Sequence, residues 1–450
     1  MAARGSWLDR LRRGWFRRKR PAAVAPLAPR KTGRLAYDNF LLAHYERATR
    51  RVAVTSRPSL LLLDPSSLCQ LQCPMCPTGL ENAGRVGHGR QFYRRPRGLL
   101  RREVFESVLA DLGEVLFFVH LYNWGEPLLN RDLTFFIREL ARRDIVVVTN
   151  TNLSLPLDDQ AVDALVDSGI ARIEASIDGF SQATYGRYRV KGRFELARDN
   201  LVRLAAARDR LGLDVSLVWN FLVFRFNEAE IEPARRFCED HGIAFVRREA
   251  AVSEALREEF LPGYREGERL EGFFEQRGQP FCPDSILEGA ERSCAWHYFY
   301  SIVNADGSVS PCCAPWESDW DLGVVAPGGT RFADIWNGRD LRRSRSDVSG
   351  KRLLADLARR QVLDRIVTVD DFVRQGTICQ GCQMPAAMLD LYSNWLEGVV
   401  THRPKTLSGR NAAYDQAFSL LAGDRAAFVR HYETFFLHDS GQAGDAAAGR

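Results

Sequence analysis

The 450-residue chain contains no uninterrupted apolar stretch approaching the roughly 18 residues that a membrane-spanning helix needs. Residues 6–20 do not read as a secretory signal, because their arginines interrupt any apolar segment there. Excess positive charge is absent from most of the chain: residues 1–34 hold eleven Lys or Arg and one acid, a local charge of +10, so the remainder carries −5 of the total of +5. A mildly acidic body excludes nucleic-acid binding driven by overall charge.

Hydrolytic metal motifs are missing as well. None of the eight histidines belongs to an H-E-x-x-H motif. The two H-x-E triplets, His44–Glu46 and His431–Glu433, lack the P-C-x-x-C partner of a zinc deaminase. Ten cysteines are present, and seven of them stand in close-spaced groups. Without an export signal, such groups predict metal binding, reduced thiols and a cytoplasmic location.

The basic head, residues 6–20, places Trp7, Leu8, Leu11 and Trp15 at helical spacing among arginines. Two hypotheses stay open for it. An interfacial helix on anionic lipid would make the protein membrane-peripheral, whereas a solvated basic tail would have no membrane role. The Pro- and Ala-rich residues 21–34 predict a linker.

Short apolar runs alternate with helical patterns between residues 56 and 250. The predicted strands are Leu60–Leu63, Val115–Leu121, Ile145–Val148, Arg172–Ile177, Val215–Phe224 and Ala244–Arg247. The predicted helices are Arg102–Leu112, Asp132–Arg142, Asp158–Ser168, Phe194–Leu211 and Glu228–His241. This alternation predicts right-handed βαβ units in an α/β fold, a partial (β/α)6 barrel of parallel strands whose ligands lie at the carboxyl ends of the strands.

The rest of the chain divides by composition. We predict a basic head and linker (residues 1–55), the partial barrel (56–250), a connector (251–290), a small cysteine-rich domain (291–385) and a helical carboxy-terminal segment with a disordered tail (386–450). Within the cysteine-rich domain, Phe299–Asn304, an Asp306-Gly307 turn and Ser308–Cys312 predict a β-hairpin.

Cys69, Cys73 and Cys76 form a C-x3-C-x2-C run shortly after the first predicted strand. Three thiolates on one tight loop can bind three irons of a 4Fe–4S cube and leave the fourth iron open. An open iron can chelate the amino and carboxylate groups of S-adenosylmethionine. Zinc is the competing interpretation, but zinc sites usually add a fourth close ligand, and none follows in this loop.

With these cysteines, the region 56–250 resembles the radical S-adenosylmethionine (radical SAM) superfamily, in which such a cluster cleaves S-adenosylmethionine to a 5′-deoxyadenosyl radical. Asn123–Pro127 resembles the family's Gly-Gly-Glu-Pro motif, which contacts the amino group of S-adenosylmethionine, with Trp124 in place of the first glycine. Ser176–Gly179 resembles the segment that contacts ribose or carboxylate, and Thr149–Asn152 resembles a Thr-Asn-Gly turn. The resemblance implies that S-adenosylmethionine is bound by Met75 (beside the adenine), Gly125, Glu126, Pro127, Ser176 and Asp178.

A second cysteine group resembles the SPASM domain or its shorter twitch form, which implies one auxiliary 4Fe–4S cluster. No cysteine follows Cys382, so a second auxiliary cluster is not expected. A four-cysteine zinc site stays open as the alternative. Cys313 or Cys282 can replace a named ligand, and Cys238 is predicted to lie in the core. The implied ligands are Cys294, Cys312, Cys379 and Cys382.

The resemblance implies a radical SAM oxidoreductase that takes an electron from a donor such as flavodoxin or ferredoxin and abstracts hydrogen from a C–H bond. An auxiliary cluster that accepts the substrate's second electron favours a net oxidation. We expect a carbohydrate-like or lipid-linked small substrate, because the amino-terminal 55 residues do not resemble a leader-peptide-binding domain. A peptide- or protein-modifying enzyme is the first alternative. A non-catalytic iron–sulfur scaffold or electron carrier, or a zinc-stabilised binding protein, would have no need of groups for S-adenosylmethionine.

Overall fold

The computed structural model describes residues 24, 27–31, 33–84, 95–249, 252, 256–265, 294–312, 318–346, 412–421 and 424–437. The head at residues 6–20 therefore lies outside the described residues, as do Cys282, Cys313, Cys379 and Cys382. Among the helices that are described, none is long and apolar enough to cross a membrane.

The chain divides into two compact units. The larger unit comprises the described residues within 26–149, 168–170 and 271–450, and the smaller unit those within 150–167 and 171–270 together with Val24. These units do not follow the predicted domain boundaries, which stay a prediction.

The described strands of the larger unit are β1 (Leu60–Leu63), β2 (Phe118–His120), β3 (Val146–Thr151, of which Asn150 and Thr151 belong to the smaller unit), β7 (Tyr300–Val303), β8 (Ser308–Ser310) and β9 (Gly323–Val324). They follow the order β3–β2–β1–β7–β8–β9 in the sheet. The pairings of β1 with β2, β2 with β3 and β1 with β7 are parallel, and those of β7 with β8 and β8 with β9 are antiparallel.

The described strands of the smaller unit are β4 (Arg172–Ser176), β5 (Ser216–Val223) and β6 (Ala244–Glu249). They are parallel and follow the order β4–β5–β6. The described strands of neither unit close into a ring. The prediction of an open α/β fold, with six parallel strands alternating with helices, is confirmed.

Helices connect these strands in both units. Those of the larger unit are Arg34–Ala48, Pro77–Asn82, Arg102–Leu112, Leu133–Ala141, Trp296–Phe299, Phe332–Trp336, residues 339–346, Ala412–Leu421 and Arg425–Tyr432. Those of the smaller unit are Asp159–Val166, Gln182–Tyr188, Phe194–Leu211, Ile231–Asp240 and Arg257–Phe260. Short 3-10 turns occur at Pro127–Leu129, Glu228–Glu230, Gly263–Arg265 and Ser318–Trp320, and a π turn at Glu433–Leu437.

Local hydrogen bonds explain where elements depart from the predicted bounds. The apolar run Val115–Leu121 forms a strand only at its centre, because the N–H groups of Val115 and Leu116 both donate to the carbonyl of Leu112 and finish the preceding helix. The helix Arg34–Ala48 lies within the predicted head and linker. The buried residues of this helix include polar side chains such as His44 and Glu46. The helix therefore has no one-sided apolar stripe from which it could be predicted.

The predicted β-hairpin is confirmed as β7–β8, and β7 adds to the sheet beside β1. Two side chains also attach this region to the segment that leads into β1. The indole N–H of Trp336 donates to the carbonyl of Ser56 at 2.8 Å, and the Asn337 amide bonds both backbone groups of Val54. These hydrogen bonds fix the start of β1 against the cysteine-rich region, and through β1 they position the loop that follows it.

The helix Phe194–Leu211 provides a test of core packing in the smaller unit. Leu201 is fully buried, so Leu201→Ala should lower the free energy of unfolding by about 2–5 kcal/mol through lost burial and a residual cavity. Leu211→Ala, at a position 40% exposed on the same helix, should change it by less than about 1 kcal/mol. Urea unfolding followed by circular dichroism measures both, and equal losses would contradict this packing.

Candidate cluster and cofactor site

The loop between β1 and the helix Pro77–Asn82 carries the first three cysteines. Cys73 is buried, and Cys69 and Cys76 are half-buried. The N–H of Leu71 donates to the Cys69 sulfur at 3.5 Å, and the N–H of Cys76 donates to the Cys73 carbonyl at 3.2 Å. Backbone donors directed at sulfur stabilise a thiolate ligand of an iron–sulfur cluster.

Two further residues hold this loop in shape. The Asn82 side-chain amide donates to the carbonyls of Cys69 and Leu71, both at 2.8 Å, and the Asn82 main-chain carbonyl accepts from the Gln72 side-chain amide at 2.7 Å. At Gly79 a Cβ atom would lie 2.4 Å from the carbonyl oxygen of Cys73, so only glycine permits this packing of helix on loop. Neither Asn82 nor Gly79 could be predicted as a support of the site, because nothing in a cysteine spacing indicates which neighbours hold the loop.

The second loop of the site follows β2 and lies directly against the cysteine loop. The Glu126 N–H donates to the Leu68 carbonyl at 2.7 Å. A Cβ atom at Gly125 would lie 1.7 Å from the carbonyl oxygen of Ser66 and 2.8 Å from that of Leu68. Glycine is therefore required here for close backbone approach. The Glu126 carboxylate is buried and accepts from the Leu128 N–H at 3.0 Å.

The electrostatics of this loop favour a bound cation. Burial raises the pKa of the Cys69 thiol above its ordinary value, and the Glu126 carboxylate and the other two cysteines raise it further. A thiol in these surroundings ionises readily only when a metal takes the place of its proton. The donor set of three cysteine sulfurs therefore fits iron ligation.

A single metal ion is a poorer fit than a cluster. Within the described residues, no three His, Cys, Asp or Glu side chains converge closely enough to hold one ion. A 4Fe–4S cube binds its thiolates through separate irons, so its ligands stand further apart than those of one zinc ion. Met75 lies half-buried on the same loop.

In the smaller unit, polar side chains at the carboxyl ends of neighbouring strands form a network. The Ser176 hydroxyl donates to the side-chain oxygen of Asn150 at 2.7 Å. The Glu174 carboxylate accepts from the side-chain amide N–H of Asn220 at 2.7 Å, and the Arg248 guanidinium donates to the side-chain oxygen of Asn220 at 3.1 Å. Ser176 is half-buried and Glu174 is nearly buried, so these groups line a surface rather than project freely into solvent.

Asp178 lies deeper than its neighbour Ser176. It is fully buried, one carboxylate oxygen pairs with the Arg189 guanidinium at 2.6 Å, and the other accepts from the Leu222 N–H at 2.7 Å. Burial raises the pKa of Asp178, and Arg189 and the Leu222 N–H partly oppose that shift. Both oxygens are thus engaged within the protein.

The described cysteines of the second group flank the β7–β8 hairpin. Cys294 is buried ahead of the helix Trp296–Phe299, and Cys312 is half-buried after β8. Cys379 and Cys382 lie outside the described residues. Cys238 is fully buried in the helix Ile231–Asp240, and the prediction of a core position is confirmed.

A buried ion pair joins the hairpin to the segment that follows residues 85–94. The Arg95 guanidinium pairs with the Asp321 carboxylate and donates to the hydroxyls of Ser308 and Ser310. Burial raises the pKa of the neighbouring Asp64, at the end of β1, to about 7 despite nearby N–H donors. This cluster could not be predicted from the sequence, because Arg95 lies more than 200 residues from its partners.

Comparison with known proteins agrees with this geometry. The radical SAM superfamily model matches residues 63–238, and the SPASM model, an iron–sulfur cluster-binding domain, matches residues 294–383. The PqqA peptide cyclase of Rhodopseudomonas palustris is 30% identical over 302 residues, which cover 62% of this chain and 73% of that protein. The PqqA peptide cyclase of Gluconobacter oxydans is 26% identical over 301 residues, covering 64% and 78%. The chain belongs to the radical SAM superfamily and carries a SPASM domain.

The solved structures that resemble this chain are more distant in sequence. Streptococcus suis SuiB bound to S-adenosylmethionine is 15% identical with a TM-score of 0.44, covering 78% of this chain and 77% of that chain. BtrN in complex with AdoMet and 2-DOIA is 16% identical with a TM-score of 0.39, covering 67% and 92%. The family matches establish iron–sulfur clusters and S-adenosylmethionine as the cofactors.

The contact at Gly125 provides a sharp test of the first site. Gly125→Ala should displace the loop that carries Cys69 and lower iron by about four per chain, the content of one cube. Gly98→Ala is the matched control, because a Cβ there meets nothing within 4 Å. Iron and sulfide assays after anaerobic purification measure both variants. Full iron in Gly125→Ala would contradict the proposed packing.

Proposed function

We propose that this protein is a peptide-modifying radical SAM enzyme that makes a net oxidation. The observation that carries the proposal is the similarity to PqqA peptide cyclases, which extends over 62% of the chain at 30% identity. The expected carbohydrate-like or lipid-linked substrate receives no support from these relatives, whereas the peptide alternative does. An iron–sulfur scaffold without catalysis would not explain the glycine-dependent loop contact beside a buried glutamate.

In this proposal the cysteine loop and the loop after β2 bind the polar end of S-adenosylmethionine. Cys69, Cys73 and Cys76 would hold the cluster, which in its reduced form would supply the electron that cleaves the sulfonium. The Glu126 carboxylate would accept from the ammonium group, and the hydrogen bond from the Glu126 N–H to Leu68, which Gly125 permits, fixes its position. Pro127 begins the 3-10 turn that follows. Charge-assisted hydrogen bonds of this kind are about twice as strong as neutral ones. Met75, half-buried on the cysteine loop, would contact the adenine.

The family resemblance assigns a further polar contact to Ser176. Ser176 is half-buried and donates its hydroxyl proton to the Asn150 side-chain oxygen, so its own oxygen would accept from a ribose hydroxyl. We assign Asp178 a positioning role, since both of its oxygens already serve Arg189 and Leu222. It orders the turn after β4.

The reaction balances as an oxidation. A substrate C–H bond loses a hydrogen atom to the 5′-deoxyadenosyl radical, which becomes 5′-deoxyadenosine. The substrate radical then gives one electron to an acceptor, for which the auxiliary cluster is the proposed resident group, and one proton to a base. A new bond within the peptide or a double bond forms, and the product lacks two hydrogen atoms. The protein's contribution is to position the target carbon and exclude water.

Glu126 permits a test of cofactor binding that leaves the fold unchanged. In Glu126→Gln the amide oxygen can still accept from the Leu128 N–H, but the negative charge is lost. We expect retained iron and a fall of about tenfold or more in 5′-deoxyadenosine formation at limiting S-adenosylmethionine. Glu103→Gln, at an exposed position, is the control. Unchanged cleavage in Glu126→Gln would remove Glu126 from the binding role.

The substrate class is tested with two probes in parallel. Reduced enzyme, S-adenosylmethionine and the PqqA peptide should give 5′-deoxyadenosine and a peptide lighter by two hydrogen atoms, measured by mass spectrometry. The same assay with 2-DOIA tests the small-molecule alternative. Oxidised 2-DOIA with an unmodified peptide would overturn the peptide proposal. No 5′-deoxyadenosine under any condition, including without substrate, would overturn the radical SAM activity itself.

A further inference from the structure

One face of the strands β4, β5 and β6 is polar near their carboxyl ends. Ser176 lies opposite Asn220 in the sheet, and Asn220 lies opposite Val246. Because residues two positions apart along a strand share a face, Glu174 and Arg248 lie on the same face as Ser176 and Asn220. This face therefore carries an acid, a hydroxyl, an amide and a guanidinium on three neighbouring strands.

The opposite face of these strands packs against a helix. Trp219, next to Asn220 on β5, is fully buried, and its ring centroid lies 6.0 Å from that of Phe237 in the helix Ile231–Asp240. The polar face is thus the one turned away from this helix. In α/β proteins, ligands bind at the carboxyl ends of parallel strands, where these polar side chains are found.

Arg248 is the exposed end of a hydrogen-bonded network on this face. Its guanidinium Nε donates to the Asn220 side-chain oxygen at 3.1 Å, and its Nη2 lies 3.7 Å from the Glu174 carboxylate. The Asn220 amide donates to the same carboxylate at 2.7 Å, so the two partners of the guanidinium are themselves joined. Glu174 is buried, whereas the Arg248 side chain is 52% exposed. The protein therefore orients the guanidinium and leaves half of the side chain accessible to a ligand.

The same network extends to Ser176. The Asn150 side-chain amide donates to the Glu174 carboxylate at 3.5 Å, and the Asn150 side-chain oxygen accepts from the Ser176 hydroxyl at 2.7 Å. Neighbouring strands lie about 4.8 Å apart, so β4 and β6 are separated by about 10 Å. A group bound at Arg248 is therefore within about three extended residues of a ribose bound at Ser176.

We propose that Arg248 binds a carboxylate of the substrate, on an acidic side chain of the peptide, and that Glu174 and Asn220 are positioning residues for Arg248. A guanidinium presents two parallel N–H donors whose spacing matches a carboxylate. Because Arg248 is already held by Asn220 and Glu174, it loses less conformational freedom on binding than an unconstrained arginine. The inference rests on the proposed function and deepens it, since it names the group that anchors the peptide.

A chemical footprint tests the site without turnover. Phenylglyoxal, which reacts with accessible guanidinium groups, is added to the reconstituted full-length protein, and modification of each arginine is measured by mass spectrometry. N-acetylglutamate amide should slow the modification of Arg248 by about threefold or more, and N-acetylglutamine amide at equal ionic strength should not. Arg247 is the internal control, because it is exposed on the other side of β6 and should react at the same rate with both additives.

Steady-state kinetics connect the site to the substrate. With the PqqA peptide, Arg248→Gln should raise KM by about tenfold or more and change kcat by less than about twofold, because the lost contact contributes to binding rather than to chemistry. With a copy of the peptide in which every acidic side chain is replaced by its amide, the same variant should show no such rise. Arg247→Gln, which removes the same charge from the neighbouring position, should leave KM unchanged.

Equal modification of Arg248 with the two additives would overturn the inference, as would an unchanged KM of Arg248→Gln for a peptide that the wild-type enzyme modifies. Protection of Arg248 by S-adenosylmethionine alone would also overturn it, because the carboxylate would then belong to the cofactor. Protection by the glutamate additive supports the carboxylate site even if the PqqA peptide is not modified. In that case the peptide of the proposed function is wrong and the site remains, so the two failures are distinguishable.

Discussion

The hydrogen bond from the Glu126 N–H to the Leu68 carbonyl, at 2.7 Å, determines the first site. It joins the loop after β1 to the loop after β2, and it forms only because Gly125 has no Cβ to contact Ser66. The same contact brings the buried Glu126 carboxylate into electrostatic reach of Cys69. Parallel strands place both loops at one edge of the sheet, but the backbone contact fixes their separation. The geometry of the cysteine loop thus depends on a glycine nearly 50 residues beyond Cys76.

Much of this arrangement could be predicted from the sequence. Runs such as Leu60–Leu63 and Phe194–Leu211 form elements with the predicted bounds, because strong apolar patterns specify local structure. The supports of the site could not be predicted in this way. Asn82 and Arg95 act through hydrogen bonds to backbone or to distant side chains, and no periodicity identifies them. The pair Arg95–Asp321 spans 226 positions, so only the folded chain reveals it.

A motif also does not distinguish a residue that touches a ligand from one that supports it. Ser176 and Asp178 were named together because they share one segment at the end of β4. The structure separates them: Ser176 is half-buried at the end of the strand, and Asp178 is fully buried against Arg189. Alternation along a strand places residues two positions apart on the same face. Asp178 follows the end of β4, so its depth in the fold is set by the turn and not by this alternation. A carboxylate whose two oxygens both bond groups within the protein, as those of Asp178 do, serves to order the backbone. A sequence motif does not indicate this role.

The electrostatic surroundings of the first cysteine group bear on the chemistry of the proposed function. Burial and the Glu126 carboxylate both raise the pKa of the Cys69 thiol. Added negative charge is therefore unfavourable at this loop, which suits a cluster that has to give an electron to a sulfonium. In the proposed function the same carboxylate accepts from the ammonium group of S-adenosylmethionine, so one buried charge serves both the cysteine loop and the cofactor.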